Sequence, residues 1–128
     1  MLVRGIRGAT TVEANDRAEI LAATNELLLA LIEANKVERE YVASVVFTTT
    51  PDLNAEFPAV AARAIGWTDV ALMCGHEMSV PGSLQRVIRI LMHVNTDLAL
   101  GDVQHIYLRG ASALRPDLVP GWTAEAKP

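Results

Sequence analysis

Apolar and polar side chains alternate most sharply over residues 86–95, RVIRILMHVN. Successive Cβ atoms on a strand point to opposite faces, so Ile88, Ile90, Met92 and Val94 share one side while Arg89, Leu91 and His93 share the other. The spacing predicts a strand with one face in the core. Residues 104–109 (QHIYLR) repeat the device, with Ile106 and Leu108 facing one way and His105, Tyr107 and Arg109 the other. Residues 2–13 read as a further strand interrupted by Gly5 and Gly8, positions that suggest a bulge or a close approach by another backbone or a ligand. The stretch 41–49 (YVASVVFTT) is rich in β-branched and aromatic types and reads as a strand buried on both faces. Residues 68–74 supply a fifth.

Between the first two strands the period changes. Asp16 followed by Glu19 forms a capping-box pattern that opens a helix. Ile20, Leu21, Leu27, Leu28, Leu31 and Ile32 then recur at helical spacing, and Asn35 is a reasonable stop. Pro51 to Pro58 reads as a loop carrying Asp52, Asn54 and Phe57. A short helix follows, with Pro58 in its first turn and Gly66 just past its end. GHEMSVPGS (75–83) has strong turn chemistry. The resulting order, β-α-β-α-β-β-β, describes an α+β domain with helices packed on one side of a mixed five-stranded sheet. A single domain is expected over residues 1–115. The tail 116–128, with Pro116, Pro120, Gly121 and Pro128, is expected to be irregular and partly mobile.

Composition narrows the function classes. The chain has 128 residues, 51% of them hydrophobic, with only two each of Trp, Tyr and Phe, so its core is mainly aliphatic. A domain this small buries a limited share of its surface, which makes oligomerisation an expected source of extra stability. The net charge of −4 argues against nucleic acid or an anionic membrane as the main partner. The single cysteine, Cys74, excludes an internal disulfide and fits a reducing compartment. No apolar run approaches the ~20 residues that span a bilayer. Met1 leads directly into a strand-like pattern without signal-peptide architecture, so a cytoplasmic protein is expected.

Three arginines lie in unusually apolar company: Arg7 in RGIRGATT, Arg63 in FPAVAARAIG and Arg89 in RVIRILMHVN. A guanidinium stays charged and offers a planar fork matched to carboxylates. Any one of them alone reads as a structural arginine paired with an acid. Several together, with Tyr107 on a polar strand face, favour an anion site. Glu77 follows a strand directly, where scaffolds present functional groups, although the residues alone favour a solvated surface carboxylate. Cys74 matches no nucleophile signature and reads as a pocket wall or a buried apolar residue. His76, His93 and His105 match no zinc spacing, and RGIRGAT lacks the spacing of a phosphate loop.

The stretches RGIRGATTVE, TPDLNAEFPA, CGHEMSVPGSL and RVIRILMHVNT, with HIYL followed by LRPDL, together resemble the monofunctional chorismate mutases of the AroH class. The resemblance covers nearly the whole chain. It implies a homotrimer whose sheets pack as a pseudo-barrel, with active sites in clefts between subunits. It also implies a cofactor-free, metal-free Claisen rearrangement of chorismate to prephenate in aromatic amino acid biosynthesis. By matching motif, Arg7, Cys74, Glu77, Arg89 and Tyr107 would come from one subunit, and Phe57, Ala59 and Arg63 from its neighbour. Arg115 would approach the site on a tail that orders with ligand. Arg89 would meet the ether oxygen, Glu77 the ring hydroxyl, and Arg7 with Tyr107 the side-chain carboxylate. Two positions depart from the family pattern: Val60 replaces a frequent lysine, and Met73 stands at a wall position where threonine can occur. Two other readings remain open at this level. One is an imine deaminase of a similar trimeric barrel, and the other is a non-enzymatic module that binds an aromatic-pathway metabolite.

Overall fold

The structure, a computed structural model, describes residues 1–114. Five strands form one sheet: β1 (Leu2–Thr11), β2 (Val42–Thr49), β3 (Leu72–His76), β4 (Val87–Thr96) and β5 (Ile106–Tyr107). Their spatial order is β3-β2-β4-β1-β5. β4 runs antiparallel to both its neighbours, β1 and β2, whereas β3 and β5 lie parallel to β2 and β1 at the two edges. The sheet is therefore mixed, and its long central strand is the one with the sharpest sequence alternation.

Both α-helices cover the same face. In α1 (Arg17–Asn35), Ile20, Ala23, Thr24, Leu27, Leu28 and Leu31 are buried. Leu27, Leu28 and Leu31 pack on the inward set Ile6, Val45, Phe47, Ile90, Met92 and Val94, together with the short helix α2 (Ala59–Ala64), while Ile20 and Ala23 pack with Val12, Leu53 and Ile88. Each fully buried leucine contributes about 2 kcal/mol of hydrophobic stabilisation. Asp16 caps α1 by accepting a hydrogen bond from Glu19 N at 3.0 Å. The reciprocal arm of the capping box is diverted, since Glu19 Oε1 accepts from Glu13 N instead. The helix ends at Asn35, but Lys36 takes the left-handed conformation. Asn35 stays buried because its amide bridges Leu31 O to the backbone of Gln104, tying the helix end to the approach of β5. Among the described residues no helix is long and apolar enough to cross a membrane.

Three expectations about the strands need correction. β2 is buried on one face only: Val45, Phe47 and Thr49 are inward, while Ser44, Val46 and Thr48 stay partly accessible, because no described residue seals the second face over this strand. β3 begins at Leu72, since residues 68–70 bend after Gly66 and Trp67 close α2. β5 is only two residues long, because Arg109 adopts a positive φ and opens a 3-10 helix over Arg109–Leu114. Its alternation nonetheless holds, with Ile106 and Leu108 against the main core and Tyr107 in a small cluster with Ala9, Val87 and Ala111.

The glycines of β1 introduce no bulge, and the β1–β4 register is unbroken from Leu2–Thr96 to Thr11–Val87. Gly8 does mark a close approach. A Cβ there would meet Leu27 Cδ1 at 2.9 Å, and Leu31 Cδ1 and the Ile106 carbonyl oxygen both at 3.0 Å. The leucine tips have only packed core to retreat into, and the carbonyl belongs to β5. Gly8→Ala should therefore destabilise by about 1–3 kcal/mol and lower Tm by at least about 4 °C. A thermal melt coincident with that of the unaltered protein would contradict this account of the α1–sheet spacing.

Candidate active site

The bare face of the sheet carries most of the predicted chemistry. Pairing aligns one residue from each strand in a transverse row: Gly75 opposite Thr48, Thr48 opposite Arg89, Arg89 opposite Ala9, and Ala9 opposite Tyr107. Paired residues on one face hold their Cβ atoms about 5 Å apart, so neighbours in the row are in reach of each other. Arg7 stands one row along β1, opposite Leu91, and is exposed. The backbone N–H of Arg7 donates to His105 Nδ1 at 3.0 Å, which secures the strand beside β5.

Glu77 enters this row from the loop after β3. Its N–H donates to the Thr49 carbonyl at 2.8 Å. Its carboxylate accepts a hydrogen bond from Thr48 Oγ1 through Oε2. The same Oε2 lies 3.8 Å from Arg89 Nε, an ionic contact too long for a hydrogen bond. Arg89 Nε is buried and has no hydrogen-bond partner among the described residues, although the side chain as a whole is 40% exposed. A buried charged donor without a partner is costly, so Arg89 Nε is the atom of this row that calls for a group beyond the described residues.

The loop from Glu77 to Arg86 is fastened at its far end too. Arg86, at a positive φ, donates from its N to Asp52 Oδ2 at 3.0 Å and from Nε to the Val12 carbonyl at 3.2 Å. Val87 N donates to Thr50 Oγ1, which itself bonds Asp52. The polar run Thr48–Asp52 thus holds both ends of the loop that carries Glu77.

Cys74 lies elsewhere. As the in-register partner of Phe47 it packs toward the core, on the face opposite Arg89. It lines a cavity of about 410 Å³ with Phe57, Leu53, Glu56 and His76. Phe57 is 66% exposed at the mouth. Its loop is pinned by Asn15, which accepts from Asn54 N and Ala55 N, and by a 2.7 Å bond from Arg17 Nε to Glu56 Oε2. The Phe57 N–H, and secondarily the Arg17 side chain, hold the Glu56 carboxyl below its ordinary range. Ala59 is 3% exposed and packs in the main core, so its methyl is turned away from any open surface. Arg63 is exposed at the end of α2 and forms no ion pair among the described residues. Met73 projects from β3 onto the bare face beside Val46 and is 68% exposed. Arg115 lies outside the described residues.

One chain therefore brings Arg7, Glu77, Arg89 and Tyr107 onto a common face and leaves Phe57 and Arg63 on another. Sequence reasoning missed Thr48, whose place in the run FTTT signals only β propensity. The three histidines are engaged separately: His76 with the Leu53 carbonyl, His93 with Ser44 Oγ, and His105 with the Arg7 backbone.

Comparison with known proteins identifies the family. A family model described as chorismate mutase type I matches residues 3–118. The chorismate mutase AroH of Thermus thermophilus is 53% identical over 118 residues, which cover 91% of this chain and 97% of that protein. The AroH enzyme of Bacillus subtilis (strain 168) is 46% identical over 119 residues, covering 92% and 94%. A solved chorismate mutase from Clostridium thermocellum superposes with a TM-score of 0.84 at 52% identity, covering 85% of this chain and 97% of that one. Family match, extensive identity and shared fold lead to one assignment: the chain belongs to the type I chorismate mutases.

Proposed function

We propose that this chorismate mutase converts chorismate to prephenate on the bare sheet face, with Arg89 as the principal stabiliser of the transition state. The reaction is intramolecular: the ether C–O bond breaks as a new C–C bond forms, and no proton or external group is consumed. The protein has two tasks, to hold the compact conformer and to stabilise the separating charge. Arg89 would donate to the ether oxygen as it becomes negative. Glu77 would accept a hydrogen bond from the ring hydroxyl. Arg7 and Tyr107 would grip the side-chain carboxylate, and Arg115 would approach from the tail. The observation that carries this reading is the buried Arg89 Nε, which lacks a hydrogen bond among the described residues and shares a row with Tyr107 and the Thr48-held Glu77.

The proposal includes a homotrimer with sites between subunits. Val46, Met73 and Leu91 leave apolar surface on a part of the sheet face that neither α-helix covers, and covering such a face is a common reason to associate. Phe57 and Arg63 could approach the Arg89 row only from a second copy, each copy giving one edge and receiving another. Met73 would be a wall of that cleft and Cys74 a wall of the cavity behind it. Ala59, being buried, would set the level of α2 beneath Phe57 without touching substrate through its side chain. The proposed setting is the cytoplasm, where the free thiol of Cys74 would stay reduced.

Loss of chorismate diene absorbance measures turnover directly. Arg89→Ala should lower kcat by about a thousandfold or more, the loss of roughly 4 kcal/mol of transition-state stabilisation. Arg89→Lys should recover little, because it lacks the planar fork, and Cys74→Ser should leave most activity. Full turnover by Arg89→Ala would remove the assigned mechanism. Because no proton moves in the step, kcat should be flat around neutral pH, and a steep bell centred there would speak against a purely pericyclic reaction. Light scattering on the purified protein should return three times the 13.8 kDa chain mass, whereas a monomer with full activity would exclude shared sites.

A further inference from the structure

We propose that Thr48 is a positioning residue for the rearrangement: its hydroxyl, bonded to Glu77 Oε2, holds that carboxylate off Arg89 and keeps the guanidinium available to substrate. The inference rests on the roles given above to Glu77 and Arg89. Thr48 is the in-register partner of Arg89 on β4 and of Gly75 on β3, so its hydroxyl stands between the strand bearing the cation and the strand that delivers the acid. An unrestrained arginine and carboxylate close to about 2.8 Å and often pair through two parallel bonds. Here Glu77 stops 3.8 Å from Arg89 Nε, and the oxygen that would close the gap is the one Thr48 engages.

The buried Nε has an unmade hydrogen bond, which a shift of Glu77 by about 1 Å would satisfy. Two contacts from β2 oppose that shift. The Thr49 carbonyl accepts the Glu77 N–H at 2.8 Å and fixes its backbone, while the Thr48 hydroxyl fixes its carboxylate. Oε1 of Glu77 accepts no hydrogen bond among the described residues and remains open to a donor on the substrate. Thr48 thus keeps acid and cation close enough to serve one ligand and too far apart to neutralise each other.

Thr48→Val keeps the shape and the β-branch and removes only the hydroxyl. It should lower kcat roughly tenfold, the effect of one hydrogen bond to a charged group, with KM little changed, because the loss falls on charge developed in the transition state. Thr48→Ser, which restores the donor, should return kcat close to that of the unaltered enzyme. Crystals of Thr48→Val should show the Glu77 carboxylate within hydrogen-bond distance of Arg89. A native kcat in Thr48→Val, or an equal loss in Thr48→Ser, would overturn the role of Thr48. Assaying Arg89→Ala alongside separates the two levels. An inactive Arg89→Ala with a fully active Thr48→Val removes only the positioning role, whereas an active Arg89→Ala removes the site assignment itself.

Discussion

A sheet sealed by helices on one side must turn every second residue of its central strand away from the core, and Arg89 is one of those residues. Ile88, Ile90 and Met92 bind β4 to the helical layer, and that burial aims the intervening guanidinium outward. A slip of one residue in register would bury the charge and expose three large apolar side chains, an exchange no small domain could sustain. Fold stability and the aim of the candidate catalytic cation therefore come from one constraint. The antiparallel pairing of β4 with both neighbours enforces it from each side.

That constraint sets the direction of Arg89, and its availability depends on a balance of neighbours. Thr48 engages Glu77 on one flank, and Ala9 with Tyr107 forms the other. The chain carries net negative charge, so a dianionic substrate gains nothing from the overall field. Capture must come from cations at short range, where a low-dielectric cleft strengthens each contact. In the proposed site, Arg7 and Arg89 on the bare face, with Arg63 exposed on α2, would provide those cations.

Much of this was legible in the residues, for reasons that differ by element. The alternation in β4 and around β5 survived because one face meets the core and the other does not. The helical stripe of α1 and the Asp16 cap were equally plain. The two-sided burial expected of β2 failed because a run such as VVF reads alike whether its second face meets a helix or is left open in a lone chain. The left-handed turns at Lys36 and Arg109 fall on residues with no preference for that conformation, so nothing local announced them. Of the candidate site, Arg7, Arg89 and Tyr107 stood out as charged or phenolic groups beside apolar neighbours, whereas Glu77 reads as a surface carboxylate until the family resemblance singles it out. Thr48 was hidden, since a threonine in a strand needs no functional explanation. Cys74 was visible too, but its orientation follows from pairing with Phe47, which no one-dimensional pattern reveals.

The loop between Glu77 and Arg86 is clasped at both ends by residues of the Thr48–Asp52 run, while Met78 and Val80 at its middle are exposed. Each end is therefore fixed by its own contacts with β2 and the turn that follows it. The carboxylate of Glu77 is thus set by the strand it leaves and by Thr48, not by the exposed residues that follow it.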